Sequence, residues 1–375
     1  MIVSQKLRNA YTILGDFMNK YKICVYAICK NESKFIKRWY ESIKEADYIC
    51  VLDTGSDDNS IDILKELGIN YKTKIIEPFR FDEARNESLK MIPDDIDICI
   101  CLDIDEVMKE GWYKIITDNW NDTLTRLSYI YNWNLDENDN PIISFYANKI
   151  HKNKCYKWTH PVHEVLTYTG NDDENILKVN HELINHYPDK EKSRNQYLPL
   201  LELSVKEDPL DDRNMHYLGR EYMYYGRWNE CIDTLIKHLN LKSATWKDER
   251  SASMRYISRC YINLNRLDEA TMWLEKSIAE TPYLREPYIE MALLKSKLNK
   301  FEDVIKYSLQ ALNINSNTMT YINENFSGDK TIYDLLSLGY YYTNDKENAL
   351  KYINKALELD PTNDRLLVNK RLMET

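Results

Sequence analysis

Apolar and polar positions alternate with two different periods in the first half of the chain. The stretch from Tyr21 to Cys29 is largely apolar and predicts a buried strand, whereas Phe35, Trp39 and Ile43 recur every fourth residue, which places them on one face of a helix. The same alternation predicts further strands at 48–52 and 74–76 and from Ile96, with helices near 60–67 and 82–91 between them. This βαβαβαβ order predicts an α/β domain with a parallel sheet at its core.

Helical periodicity fades between Leu124 and Tyr187, where short β-like segments recur at 141–150, 162–169 and 176–184. We interpret these segments as an extension of the sheet. Together with the preceding strands they define a predicted domain at residues 21–190.

From residue 195 onward the pattern is helical and repeats itself. Small or apolar anchor positions recur at Cys231, Ala270, Val304 and Ala349, and the positions around them follow tetratricopeptide-like spacing. Small anchors let paired helices approach closely. Residues 195–375 are therefore predicted to form an all-α helical repeat domain with a surface that can hold a partner.

Composition narrows the class of protein. A hydrophobic fraction of 43% and a charged fraction of 29% are typical of a globular domain, and a net charge of −10 gives no overall electrostatic reason to bind nucleic acid. The cysteines lack metal-binding spacing and fall mostly in apolar runs, which favours reduced core residues and a cytoplasmic location. Residues 1–20 show no secretion signal and are expected to form an N-terminal helical extension.

Polar residues follow several of the predicted strands directly. Lys30, Asp53 and Asp103 each stand at the carboxyl end of a strand, which is where open α/β sheets bind their ligands. Asp103 and Asp105 are two residues apart, so both side chains can converge on one divalent cation or on the hydroxyl groups of a sugar. These positions predict one ligand-binding crevice.

Five motifs follow one another along the chain: Lys30-Asn31-Glu32, Asp53-Thr54-Gly55-Ser56, Phe81-Asp82-Glu83-Ala84-Arg85-Asn86, Asp103-Ile104-Asp105 and Val162-His163-Glu164. In this order they resemble the motifs of the family 2 glycosyltransferases, which have the GT-A fold. The helical repeats extend the likeness to the bacterial branch that includes the peptide S-glycosyltransferases of glycocins.

The resemblance implies a role for each matching residue. Binding of the nucleotide sugar falls to Lys30, Asn31, Glu32, Asp53, Arg85, Asn86 and Asp103, with Asp103 facing the ribose or the sugar. The metal ligands implied are Asp105 and His163, and carboxylate oxygen with imidazole nitrogen suits Mn²⁺ and tolerates Mg²⁺. His160 is a rival ligand, although Pro161 between the two histidines hinders joint coordination.

An inverting transferase also needs a general base beside the acceptor nucleophile. The nearest candidate by sequence is Glu164, and Asp136 and Glu137 are the alternatives.

These inferences together predict a cytoplasmic, metal-dependent, inverting glycosyltransferase that moves a hexose from a uridine diphosphate sugar (UDP-sugar) to a polypeptide side chain. Two alternatives stay open: a glycan acceptor, and a scaffold protein whose nucleotide-sugar domain is inactive. Repeats of this kind also pair chains, so a homodimer formed through them is a further expectation.

Overall fold

The computed structural model describes residues 21–189, 191, 195–315 and 319–375. The predicted N-terminal extension, 1–20, lies outside the described residues. The chain divides into two compact units, 1–192 and 193–375.

The first unit is built on an eight-stranded sheet with the order β3-β2-β1-β4-β7-β6-β10-β5. Its strands are β1 (Ile23–Cys29), β2 (Tyr48–Asp53), β3 (Asn70–Thr73), β4 (Ile98–Cys101), β5 (Glu106–Met108), β6 (Arg126–Leu135), β7 (Pro141–Lys152) and β10 (Ile176–His186). A separate antiparallel pair is formed by β8 (Tyr156–Thr159) and β9 (Val165–Tyr168). The strands β3, β2, β1 and β4 run parallel, as the alternating pattern predicts, whereas β7 is antiparallel to both β4 and β6. The sheet is therefore mixed: β5 is also antiparallel to β10, whereas β6 and β10 run parallel.

Within the described residues, four helices belong to the same unit as this sheet. They are α1 (Ile36–Ile43), α2 (Ser60–Glu66), α3 (Phe81–Leu89) and α4 (Trp112–Asn119). On α1 the buried side chains are Ile36, Trp39 and Ile43, and the Trp39 indole nitrogen donates to the Leu102 carbonyl at 3.2 Å. That bond satisfies the polar end of a fully buried tryptophan next to the site described below.

One predicted strand is misplaced. The apolar pair Ile75 and Ile76 suggested a strand at 74–76, but β3 covers Asn70–Thr73. This strand lies at the edge of the sheet and is polar, so it carries no apolar signal, and Ile75 is 70% exposed. Edge strands are paired on one side only, which is why hydrophobic patterning locates them poorly.

The second unit consists of paired helices. They are α5 (Tyr197–Glu207), α6 (Asp212–Tyr224), α7 (Trp228–Asn240), α8 (Lys247–Asn263), α9 (Leu267–Glu280), α10 (Glu286–Lys297), α11 (Phe301–Asn313), α12 (Thr331–Tyr342), α13 (Lys346–Leu359) and α14 (Asp364–Glu374). The predicted anchors Cys231, Ala270, Val304 and Ala349 are all fully buried. Each belongs to the second helix of a pair, so the anchors set the distance at which the helices of the repeat pack.

The eight cysteines all lie within the described residues and are free. Among the described residues, no helix combines the length and apolar character needed to cross a bilayer.

Candidate functional site

Three polar residues lie at the carboxyl ends of neighbouring parallel strands. Cys29 and Asp53 are partners in the β1–β2 register, and Tyr26 is the partner of Cys101 in the β1–β4 register. Lys30, Asp53 and Asp103 therefore come at the carboxyl ends of adjacent strands. This end of the strands is where α/β sheets bind ligands.

The loops after β1 and β2 are tied to each other. Asp53 is fully buried, and its carboxylate accepts hydrogen bonds from the backbone nitrogens of Gly55 at 3.1 Å and Ser56 at 3.2 Å. Gly55 has a φ of +106°, a conformation that a residue with a Cβ rarely adopts. The Asn31 side chain donates to Asp57 at 2.7 Å, and its backbone nitrogen donates to Ser56 Oγ at 2.9 Å. The first role of Asp53 and Asn31 is thus to shape the rim of the crevice.

The Lys30 and Glu32 side chains differ in exposure. Lys30 is exposed at the same rim. Glu32 is buried, and its backbone nitrogen donates to Ser60 Oγ at the start of α2 at 2.8 Å. Ser60 is the first residue of α2, so this bond ties the loop after β1 to the start of that helix.

A buried network of charges surrounds Asp103. Arg85 contacts Asp103 Oδ1 through Nη1 at 2.8 Å and pairs with Glu164 through Nε. Lys149, on β7, reaches Asp103 Oδ2 at 2.8 Å and Glu106 Oε1 at 2.8 Å. Two cations and three carboxylates from five separate elements or loops therefore meet at the end of β4.

Electrostatics set the protonation of this network. Burial opposes the ionisation of Asp103, but Arg85 and Lys149 hold its pKa well below the usual range for a carboxyl group. Burial raises the pKa of Glu106, and the neighbouring Asp103 and Asp105 add to that rise. Tyr131 donates to Glu106 at 2.7 Å, which supports its charged form. Asp103 is thus held as a carboxylate between two cations, whereas Glu106 is the carboxylate of the network that accepts a proton more readily.

Asp105 points to a different partner. Its Oδ2 lies 3.5 Å from Nε2 of His186, and Nδ1 of His186 lies 3.1 Å from the Trp133 carbonyl oxygen. A carbonyl oxygen can only accept, so Nδ1 carries the proton of that bond and Nε2 faces Asp105. The His186 ring also stacks on Trp133 at 4.4 Å. Burial lowers the pKa of His186, but the Asp105 carboxylate outweighs it and the net shift is upward.

Glu106, Lys149 and His186 are site residues that our sequence analysis did not name. His186 ends β10, so its position after a β-like segment is a signal that could have revealed it. Lys149 lies in the interior of β7, where a single lysine looks like an ordinary solvent-facing residue.

His163, the predicted second metal ligand, lies in the turn between β8 and β9 with a φ of +48°, and the rival His160 has a φ of +75°. Asp103, Asp105 and His163 do not form a cluster of ligand atoms within 4.8 Å of one another; the trio that does, among the residues the structure describes, is Asp212, His238 and Glu249 in the second unit. Metal binding by Asp105 with His163 stays a prediction.

The Phe-X-X-Ala-Arg-Asn motif ties the β8–β9 pair to α3. Asn86 exchanges two hydrogen bonds with the backbone of Trp158, at 2.8 and 2.9 Å, and the Phe81 backbone nitrogen donates to the Pro161 carbonyl at 3.0 Å. Ala84 is fully buried. Arg85 therefore reaches Asp103 and Glu164 from a helix that is anchored on both sides.

The candidate bases occupy different settings. Glu164 belongs to the buried network through Arg85, and its side chain is 11% exposed. Asp136 and Glu137 lie in the exposed turn between β6 and β7, where Asp136 accepts from Asn138 and twice from Asn140 at 2.8 to 2.9 Å. Asp136 thus has a structural task of its own in that turn.

Part of each unit matches a known protein family. Residues 24–165 match the glycosyl transferase family 2 model, and residues 331–363 match a tetratricopeptide repeat model. A comparison with curated proteins gave no significant match.

Solved structures similar to the chain include several with tetratricopeptide repeats. MamA from Desulfovibrio magneticus RS-1 is 15% identical, with 45% of this chain and 87% of that chain covered and a TM-score of 0.36. PilF of Pseudomonas aeruginosa is 14% identical, with 47% and 71% covered and a TM-score of 0.37. A tetratricopeptide repeat protein of Thermus thermophilus is 19% identical, with 48% and 89% covered and a TM-score of 0.35. The chain therefore carries a glycosyl transferase family 2 domain at residues 24–165 and a tetratricopeptide repeat at residues 331–363.

Proposed function

We propose that this protein is an inverting, metal-dependent hexosyltransferase that uses a UDP-sugar. The family match supports a nucleotide-sugar glycosyltransferase in general. The observation that carries the finer proposal is the grouping of Asp103, Asp105 and their buried partners at the end of β4, next to the loops after β1 and β2. In this proposal, Asp53 and the 30–32 loop bind the uridine, and Asp103 binds the ribose or the sugar.

The residues present fit a divalent cation. The Asp105 carboxylate and the Nε2 atom of His186 face each other at 3.5 Å, and carboxylate oxygen with imidazole nitrogen is a donor set for Mn²⁺, with Mg²⁺ tolerated. His163 is the alternative imidazole. Asp103 is less suited to the ion because Arg85 and Lys149 already neutralise it. A bound cation would stabilise the negative charge that develops on the diphosphate leaving group.

The protein's own cations support the same chemistry. Arg85 and Lys149 are fixed by buried carboxylates, so they need no reorganisation when a phosphate group gains charge nearby. Glu164 is our candidate general base because it belongs to this network, and Asp136 is the alternative. Inversion follows if one carboxylate deprotonates the acceptor as it attacks the anomeric carbon.

We further propose that the acceptor is a polypeptide side chain, because tetratricopeptide repeats are suited to extended peptides. A glycan acceptor is the alternative within the enzyme class, and an inactive scaffold is the alternative outside it. A cytoplasmic location and a homodimer formed through the repeats complete the proposal.

The test is the release of uridine diphosphate from a set of UDP-hexoses with and without Mn²⁺. We expect hydrolysis of one donor that depends on the metal and is lost in Asp105→Asn. The matched control is Asp118→Asn, which changes an exposed carboxylate of α4 and should leave the rate unchanged. Absence of hydrolysis with every donor, together with no thermal stabilisation by any of them, would favour the scaffold.

A further inference from the structure

A segment of the chain lies across the inner helices of the second unit. The helices α9 and α10 are joined by residues 281–285, whereas α11 and α12 are separated by residues 314–330. Within this longer connection, residues 319–327, here called the inner segment, contact the first helices of three successive pairs: α6, α8 and α10. In repeat proteins of this kind such helices line the surface that binds partners.

Tyr321 is the aromatic anchor of the inner segment. Its ring stacks on Tyr217 of α6 with centroids 5.7 Å apart, and it meets Trp246 edge-on at 5.4 Å. Its hydroxyl donates to the buried Glu249 of α8. A tyrosine whose ring is packed and whose hydroxyl is hydrogen-bonded is a common anchor of protein interfaces.

Ile322 extends the anchor into the core. It is 3% exposed and belongs to the same apolar cluster as Ala252 and Tyr256 of α8. Its carbonyl oxygen accepts from Arg255 Nη2 at 3.3 Å. Asn323 donates to Glu286 of α10 at 3.1 Å.

Glu324 provides a charged end. Its carboxylate lies 2.7 Å from Arg259 Nη2 and 3.4 Å from Arg255 Nη1. Both arginines also share the Glu290 carboxylate, at 2.7 and 2.8 Å. Arg255 is 1% exposed. If Glu324 left, the two guanidinium groups would share only the Glu290 carboxylate, and an excess of positive charge would remain.

These contacts have the character of a bound peptide and not of helix packing. An aromatic ring, an apolar side chain, a main-chain carbonyl and a carboxylate are each received by a different group on the helices. The groups that receive them would remain in place without the inner segment because they belong to α6, α8 and α10.

We infer that this groove binds a polypeptide partner that carries a tyrosine followed three residues later by an acidic residue, and that the inner segment occupies the groove as a built-in ligand which the partner must displace. The inference does not depend on transferase activity in the first unit, because it concerns only the groove of the second. The pairs Tyr321–Glu249 and Glu324–Arg259 define the residue types that an occupant of the groove must carry.

Competition by a tethered ligand weakens the binding of a free one. A segment attached by short linkers acts at an effective concentration of about 1 mM, so a partner with micromolar intrinsic affinity should bind the native chain at least about tenfold more weakly than a chain without the segment.

The test uses a fluorescent peptide with the sequence of residues 319–327 and the full-length protein. In one variant, a Gly-Ser linker of equal length replaces these residues. We expect the peptide to bind this variant at least about tenfold more tightly than the native chain, and a peptide with alanine in place of Tyr321 and Glu324 to lose that binding. Equal affinity for both proteins, or no difference between the two peptides, would overturn the inference.

A second measurement tests the same inference on the native protein, in case the linker variant does not fold. Hydrogen exchange of the native protein, with unlabelled peptide added at millimolar concentration, should accelerate at the amides of residues 319–327 and leave those of α13 unchanged. Unchanged exchange across the inner segment at saturating peptide would contradict displacement.

Discussion

The two units use buried charge differently. In the first, Arg85 and Lys149 hold Asp103 just after the end of β4. In the second, Arg255 and Arg259 hold Glu324, a residue of the chain itself. A buried ion pair therefore does not identify an active site by itself. The distinguishing feature is whether the charged groups meet at a strand end or close over a segment of the same chain.

The largest effect is expected at Arg85. Arg85→Ala would leave Asp103 and Glu164 without their shared cation, and breaking a buried pair costs about 3–5 kcal/mol of unfolding free energy. Urea unfolding should show this loss in the first unit. Lys90→Ala is the control, because Lys90 forms an exposed pair with Glu87 and should change stability by less than about 1 kcal/mol. Equal stability of both variants would remove the distinction between network and surface charge.

The second unit is expected to lose folding stability at low pH because of a buried histidine. Burial lowers the pKa of His216 from 6.5 to about 3. As the pH falls below 6.5, the unfolded chain takes up a proton that the folded chain refuses, so stability is lost progressively down to about pH 3. His216→Asn should flatten this loss by up to about 1.4 kcal/mol per pH unit. Urea titrations at pH 7, 6 and 5 measure the slope, the exposed His181→Asn serves as control, and an unaltered slope in His216→Asn refutes the assignment.

Close packing of the repeats predicts a smaller effect. A Cβ added at Gly219 would lie 2.3 Å from Cδ2 and 2.4 Å from Cγ of Leu235, so the whole leucine side chain would have to move. Gly219→Ala should cost about 1–3 kcal/mol in overpacking, partly offset by about 1 kcal/mol of helix propensity. Gly328→Ala is the matched control, since nothing lies within 4 Å of the added atom. Thermal unfolding of both variants decides, and a Gly219→Ala protein as stable as the control would show that the helix pair can relax.

The smallest effect is expected at Asp136. Its carboxylate accepts hydrogen bonds within an exposed turn, so Asp136→Asn should change the unfolding free energy by less than about 1 kcal/mol and leave the transfer rate within about twofold. The comparison variant is Glu164→Gln, for which we expect at least about a hundredfold loss of rate. A reversed order of the two rates would move the general base to the β6–β7 turn.

Much of the fold was predictable because both periods in the sequence are strong. The apolar runs at β1, β2 and β4 are buried on both faces, and the anchors of the repeats are small or apolar and fully buried. The polar edge strand β3 was misplaced because it buries little. The antiparallel order of β7 was not predictable from local pattern, since strand pairing depends on contacts distant in sequence.

The candidate site was predictable only in part. Residues next to strand ends, such as Asp53 and Asp103, follow from local order. Lys149 and His186 come from distant strands and have no motif around them, so only the folded sheet brings them to Asp103 and Asp105. The inner segment could not be placed from the sequence, because nothing in its residues shows which helices it contacts.

The most direct test of the central claim is a calorimetric titration of uridine diphosphate into the protein. We predict binding that requires Mn²⁺ and weakens by at least about tenfold, or 1.4 kcal/mol, in both Asp105→Asn and His186→Asn. Binding of equal strength without the metal and in both variants would contradict the assignment of the crevice at the end of β4.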